Sequence, residues 1–218
     1  MSENYLTFAL AKGRLADNAM KLLKDSGVSC PEMENKNSRK LIFTNEEYKY
    51  KFFLAKASDV PVYVERGAAD VGFAGKDTLR EEHKNICEVL DLGFGKCRIM
   101  VAGYDTPANR LKLAHGHNLR IATKYPNIAT EYFENKNQSI EIIKLNGSVE
   151  LAPIVGLSDF IVDIVETGTT LQENGLTILE EIGELSARMV VNTASIKIKN
   201  HQITNLIRNL EKTLSEGQ

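Results

Sequence analysis

The chain has 218 residues, 43% of them apolar and 26% charged, with a formal charge of −2 at pH 7. That length buries a sizeable core, as one large domain or two modest lobes, and the composition is too apolar for a disordered chain. The near-neutral total excludes a broad basic field for nucleic acid, and no apolar run approaches the roughly 20 residues of a membrane helix. Any anionic ligand must therefore be held by locally placed charge. The opening MSENYLTFAL is polar and acidic, so no secretory leader is expected. Cys30, Cys87 and Cys97 are odd in number and lack C-x-x-C spacing, which fits reduced thiols and a cytoplasmic protein.

In chain order, YLTFAL (5–10) predicts a strand. ADNAMKLLKDSG (16–27) predicts a helix with Ala19, Met20, Leu22 and Leu23 on its apolar face and Gly27 as its stop. KLIFT (40–44) and YKFFLAK (50–56) predict strands, the second at a sheet edge because it alternates poorly. SDVPVYVERG (58–67) predicts a helix capped by Ser58 or Asp59, with Pro61 in the first turn and Gly67 at the end. ADVGFAG (69–75) returns as a strand.

From Cys97 the pattern restarts. RIMVAG, NLRIATKYP and the alternating SIEIIKLNG predict strands, with a helix over NIATEYFENK between the last two. SVELAPIVG predicts a short helix and LSDFIVDIV (157–165) an apolar strand. SARMVVNTASIKI predicts a last strand or pair. The closing segment places Ile203, Leu206, Ile207, Leu210 and Leu214 on one helical face. ADVGFAGKD and SDFIVDIVETG are alike in kind: an aspartate, an apolar strand, then a glycine turn. The repetition predicts an α/β fold of two lobes with mixed, mainly parallel sheets and a ligand cleft between them. Residues 1–98, with 186–218 returning, form the first lobe and 99–185 the second.

The most informative stretch is IVDIVETGTTL (161–171). An apolar strand carries Asp163, meets Glu166, and breaks into Thr167, Gly168, Thr169 and Thr170. Placed after a parallel strand, that loop lies where open α/β sheets bind ligands. Its hydroxyls and consecutive amides suit a phosphate monoester, and Gly168 lets the backbone close around it. The two acids would repel a bare phosphate but can accept hydrogen bonds from a ribose diol, so a sugar phosphate satisfies both halves. The alternative is a capped strand-to-helix turn with no ligand.

The spacing of Glu150, Gly156, Asp163, Thr167, Gly168, Thr170 and Leu171 resembles the signature of the ATP phosphoribosyltransferase family. The resemblance extends through ALAKGRL (9–15), SRKL (38–41), DVPVYVERGAADVGFAGKD (59–77) and SARMVVN (186–192). It implies two lobes like those of type II periplasmic binding proteins. It also implies condensation of ATP, through adenine N1, with phosphoribosyl pyrophosphate, giving phosphoribosyl-ATP and pyrophosphate at the first step of histidine biosynthesis. Asp163, Glu166 and Thr167 to Thr170 would then hold phosphoribosyl pyrophosphate. Lys12, Arg14, Arg39 and Lys56 would offset charge on the departing pyrophosphate. Lys12, Gly13, Arg14 and Glu150 would also serve ATP or pyrophosphate, although Glu150 could equally cap the helix that follows it. Lys56 stands where the family pattern more usually has arginine.

The resemblance and the polyphosphate substrates imply magnesium, carried mainly by phosphate oxygens rather than a dedicated protein cage. His115 and His117 in AHGH have metal-like spacing but no acid or cysteine cluster beside them, and predict a surface loop. GFAGKD (72–77) and GFGKC (93–97) complete neither a P-loop nor a dinucleotide fingerprint. An ending at Gln218 matches the family's short form. That form implies a regulatory subunit resembling histidyl-tRNA synthetase and a homodimer within a hetero-oligomer. Neither nucleic acid nor membrane is expected as a partner. Two rivals stay open on sequence alone: a two-lobed binding module, and a phosphoribosyltransferase for another base.

Overall fold

The computed structural model describes residues 5–34 and 40–216. The chain divides into two compact units, Met1–Gly95 with Ser186–Gln218, and Lys96–Leu185. The break precedes Cys97 and Arg98 because these already pair with Leu185 and Glu184 in the second unit.

In the first unit β1 (Leu6–Ala11) leads into α1 (Arg14–Asp25), then β2 (Ile42–Asn45), β3 (Tyr50–Ala55), α2 (Val60–Glu65), β4 (Val71–Gly75), α3 (Lys76–Glu82) and β5 (Ile86–Asp91). β1 is apolar apart from the half-buried Thr7 because both its faces are covered. Leu6, Phe8 and Leu10 pack with Ala19, Leu22 and Leu23 of α1, while Ala9 and Ala11 pack with Val60 and Val64 of α2. β3 is not the edge strand that its poor alternation suggested. It lies between β2 and β1, with Phe52 stacked on Phe8 at 4.6 Å and Phe53 against Tyr63 at 4.9 Å. A strand packed on both faces loses the period-two pattern, and β2 takes the edge. α2 starts as expected at Val60 with Pro61 in its first turn, but neither Ser58 nor Asp59 caps it through its side chain. Ser58 donates instead to Asp59.

The second unit runs β6 (Cys97–Gly103), α4 (Pro107–His115), β7 (Leu119–Thr123), α5 (Pro126–Asn135), β8 (Ile140–Lys144), α6 (Leu151–Ile154), β9 (Phe160–Val165), α7 (Thr169–Glu173) and β10 (Thr177–Leu185). The chain then returns to the first unit as β11 (Ala187–Asn192), α8 (Ser195–Ile198) and α9 (Asn200–Glu216). Among the described residues no second strand follows β11. Asn192 Oδ1 accepts from the amides of Ala194 and Ser195, both at 2.9 Å, and turns the chain into α8. α9 buries Ile203, Leu206 and Leu210 in the α1 side of the core. Asp70, buried just ahead of β4, ties this return down. Its carboxylate accepts from the Thr7 amide (2.8 Å), Ser195 Oγ (2.6 Å) and Lys199 Nζ (2.6 Å), so the buried charge is fully paired.

The sheets have the orders β2-β3-β1-β4-β11-β5 and β10-β6-β9-β7-β8. Both are mixed, and the parallel part is smaller than the sequence pattern suggests. Among the described residues it is confined to β3-β1-β4 and β8-β7-β9, four of nine pairings. The antiparallel share comes from strands entering at the edges and from β11 arriving from the other unit. Within each unit the parallel core has one layout: the first strand is central, the second pairs on one side and the third on the other. Loops after the first and third strands therefore flank a topological switch point, the usual place for a ligand. Among the described residues no helix is long and apolar enough to cross a membrane.

One ion-pair cluster fixes the opposite end of the β7–β9 ladder. Asp159 accepts from Lys112 Nζ (2.8 Å), Arg120 Nη2 (3.0 Å) and the Arg120 amide (2.9 Å). Burial pushes this carboxyl up, but the bonds from Arg120 and Lys112 outweigh it and hold it at about 2, below the ordinary 3.8. A depressed carboxyl contributes stability that is complete above about pH 4 and lost as pH falls through about 2, here on the order of 2 kcal/mol. Asp159→Ala is therefore expected to lower the unfolding free energy by about 2 kcal/mol at pH 7 and far less near pH 2. Urea titrations at both pH values check this; an equal loss at both would make the effect one of packing rather than charge.

Candidate functional site

β9 explains why a buried strand carries an acid. Phe160, Ile161, Val162 and Val165 are buried between layers, whereas Asp163 is half-buried just past the last pairing with β7, where β9 continues beside β6 alone. Its carboxyl lines a cavity of about 340 Å³ with Glu150, Glu166 and Thr167 to Thr170. Burial raises the Asp163 carboxyl above its ordinary 3.8; the Ile164 amide opposes that, Glu150 adds to it, and Lys124 opposes it.

Gly168 closes the loop. It sits at φ +81°, in the left-handed region, directly ahead of Thr169 at the start of α7. An L side chain there would strain the turn by about 1–2 kcal/mol. Thr167 and Thr169 share a hydroxyl–hydroxyl hydrogen bond of 3.1 Å, and the Thr169 amide makes a long bond of 3.4 Å to Thr167 Oγ1. The first helical bond of α7 runs from Gln172 N to Gly168 O, so the amides of Thr169 to Leu171 precede it. Glu166, Thr167, Thr169 and Thr170 are exposed. The loop is thus a solvent-facing ring of hydroxyls and amides with two acids at its base, and not a buried cap.

The first unit carries exposed cationic side chains at its own strand ends. Lys12, Gly13 and Arg14 follow β1, and Lys56 follows β3, whose Ala55 is in register with Ala11. The Lys12 amide donates to Ala55 O at 2.9 Å, which brings the two loops side by side. Gly13 adopts φ +93° and ψ −157°, a backbone suited to glycine, and starts α1. Lys12, Arg14 and Lys56 are all exposed. The structure therefore gathers these four residues at the carboxyl ends of adjacent parallel strands, as the chemistry asks. Arg39 lies outside the described residues.

Among the described residues, no group of three or more His, Cys, Asp or Glu side chains is arranged to hold a metal. His115 is not in a loop: it ends α4, which Thr106 Oγ1 caps by accepting from the Asn109 amide at 3.1 Å. His117 lies in the turn beyond. Lys124, one of the charges that act on Asp163, was not singled out from the sequence. Its signal was available, a lysine at the carboxyl end of a predicted strand in IATKYP, the same position that singled out Lys12.

The family model described as HisG, ATP phosphoribosyltransferase, matches residues 56–212. The chain belongs to the ATP phosphoribosyltransferase family. Members are pentosyltransferases of the first step of histidine biosynthesis. The ATP phosphoribosyltransferase of Lachnoclostridium phytofermentans is 61% identical over 216 residues, covering 98% of this chain and 99% of the relative. Among solved structures, the ATP phosphoribosyl transferase (HisG:HisZ) complex from Thermotoga maritima is 36% identical, with a TM-score of 0.82 over 97% of this chain and 99% of that one. The substrate-binding protein of an amino acid ABC transporter shares the fold at 14% identity, with a TM-score of 0.58 over 98% of this chain and 92% of that one. The likeness to periplasmic binding proteins is thus one of architecture.

Proposed function

We propose that this chain carries out the family's condensation with residues 163–170 holding phosphoribosyl pyrophosphate. The observation that carries the reading is the cavity in which two acids adjoin an exposed ring of amides and hydroxyls. Thr167 to Thr170 take the 5-phosphoryl group, and Asp163 and Glu166 accept hydrogen bonds from the ribose diol. Adenine N1 attacks the anomeric carbon as its bond to pyrophosphate breaks, and the pyrophosphate leaves with the electron pair. The sugar passes through an oxocarbenium-like state, so no covalent nucleophile is required. Alignment of the two substrates and stabilisation of the leaving group supply at best about 7–11 and 3–4 kcal/mol respectively.

Lys12, Arg14 and Lys56, with Arg39, meet the leaving pyrophosphate, and Gly13 lets the backbone approach it. Arginine offers paired donors where lysine supplies a point charge. Glu150, on the rim of the same cavity as Asp163, orients substrate there. Magnesium is proposed to arrive as the polyphosphate chelate, supplying charge neutralisation through phosphate oxygens. The carboxylates of Asp163 and Glu166 suit hydroxyls and substrate-borne ions alike. The likeness to a HisG:HisZ complex supports a regulatory subunit as partner. A homodimer within that assembly and a cytoplasmic setting complete the reading.

The test is a mass-spectrometric assay of the purified chain with its regulatory subunit, ATP, phosphoribosyl pyrophosphate and magnesium, with alternative bases in competition. Phosphoribosyl-ATP as the main product is expected. Its absence with both subunits present, or preference for another base, would overturn the proposal.

A further inference from the structure

The α1 face of the first sheet is wider than the helices that cover it. Six strands span roughly 24 Å from β2 to β5, whereas two packed helices cover roughly 20 Å. α1 lies over β1 and β4 and α9 over β5, while a short 3-10 turn, Pro31–Glu34, packs on β2. A trough is left over β3, between α1 and that turn. It forms a cavity of about 540 Å³, against about 340 Å³ at residues 163–170, and shares no lining residue with that site.

The floor of the cavity is apolar. Leu54 of β3 stands in register with Leu10, Met20 comes from α1, Met33 from the turn, and the buried Cys30 completes the lining. Burial pushes the Cys30 thiol up, so it stays a neutral wall rather than a nucleophile. That wall is tied to β2 and to itself: Asn45 Nδ2 donates to Ser29 O, and the Met33 amide to Cys30 O, both at 2.9 Å. The rim is charged. Asp17, Lys21 and Lys24 line the cavity from exposed positions at i, i+4 and i+7 along one side of α1.

The volume lies within the range of small-molecule sites, roughly 300–1,000 Å³. Two ammonium groups against one carboxylate, above an apolar floor, favour a ligand with an apolar body and a single anionic head. Two thioethers favour an aromatic body, because sulfur makes attractive contacts with ring edges and the flexible side chains adapt to a flat shape. We propose that the cavity between α1, β3 and residues 29–33 binds a small aromatic monoanion, a carboxylate or sulfonate, with its ring on Leu54, Met20 and Met33 and its head at Lys21 and Lys24.

The test uses 8-anilinonaphthalene-1-sulfonate and the neutral N-phenyl-1-naphthylamine on the full chain carrying 13C-methyl methionine. The sulfonate is expected to bind once per chain with a Kd of about 10–100 μM. It should shift the methyl signals of Met20 and Met33 and leave that of Met100, buried in the second unit, in place. Lys21→Glu combined with Lys24→Glu should weaken the sulfonate about tenfold and the neutral probe less than about twofold. Met20→Trp, which fills the trough, should weaken both about tenfold. Saturating ATP or phosphoribosyl pyrophosphate should displace neither probe. A shift at Met100 in place of Met20 and Met33, displacement by either substrate, or equal loss of both probes in the lysine variant would overturn the proposal. Exclusion of the probe by the regulatory subunit would also overturn it and make the trough a protein contact. The lysine variant changes exposed positions only, so it decides the matter even if Met20→Trp does not fold.

Discussion

Asp163→Asn is expected to lower kcat/KM for phosphoribosyl pyrophosphate by about 100-fold while changing the Kd for ATP by no more than about threefold. The magnitude follows from replacing a charged acceptor of two hydroxyls by a neutral amide that accepts at one atom only, a loss of about 1.5–3 kcal/mol per charged hydrogen bond. The same substitution should stabilise the unliganded protein. Burial raises the Asp163 carboxyl above its ordinary 3.8, so the folded state binds a proton more tightly than the unfolded chain. Stability is therefore lost as pH rises from the ordinary value through the folded one, and the ionised group remains a liability at pH 7. Asn removes that cost, so Tm should rise at pH 7 and the gain should vanish near pH 3. Calorimetry across that range, alongside kinetics with each substrate varied, measures both effects. Equal losses toward both substrates would assign the cavity to a different ligand. A fall in Tm at pH 7 would mean that Asp163 contributes to the fold rather than opposing it.

The second large effect belongs to Lys12. Lys12→Ala is expected to lower kcat by about 100- to 1000-fold with little change in the Kd of either substrate, the pattern of a group that meets charge developing in the transition state. Lys56→Ala should cost less, because a lysine here occupies a position that in the family pattern more usually holds arginine, and a point charge gives no paired contact. Single-turnover measurements separate chemistry from product release. A rise in KM with kcat unchanged would make Lys12 a ground-state anchor, and pyrophosphate stabilisation would then fall to other groups.

The legible parts of the chain were those in which one physical requirement dominates. β1 reads as a strand from either direction because five of its six side chains, all but Thr7, meet apolar neighbours. The 167–170 loop is legible because a left-handed glycine among threonines after an apolar strand has few other uses. Four elements were missed for the opposite reason. α3 buries only Thr78 and α4 only Leu113, so neither shows a full apolar stripe. β5 is an edge strand of half-buried residues, and β10 carries Glu180, Glu181 and Glu184 with two register shifts that break its alternation. The misplaced edge at β3 has the same origin, since alternation fails both in exposed strands and in strands covered twice. The junction of Thr123 and Val162 was not legible because the two, in register and hydrogen-bonded, are 39 residues apart. Loops that end consecutive parallel strands meet through sheet order, and the order 8-7-9 is not written locally.

The most direct measurement is a crystal structure of the chain with phosphoribosyl pyrophosphate bound. We expect the 5-phosphoryl group about 3 Å from the amides of residues 168–170, with the diol on Asp163 and Glu166. A phosphoryl group bound elsewhere, with those amides left to solvent, would contradict the assignment of the sugar phosphate to this loop.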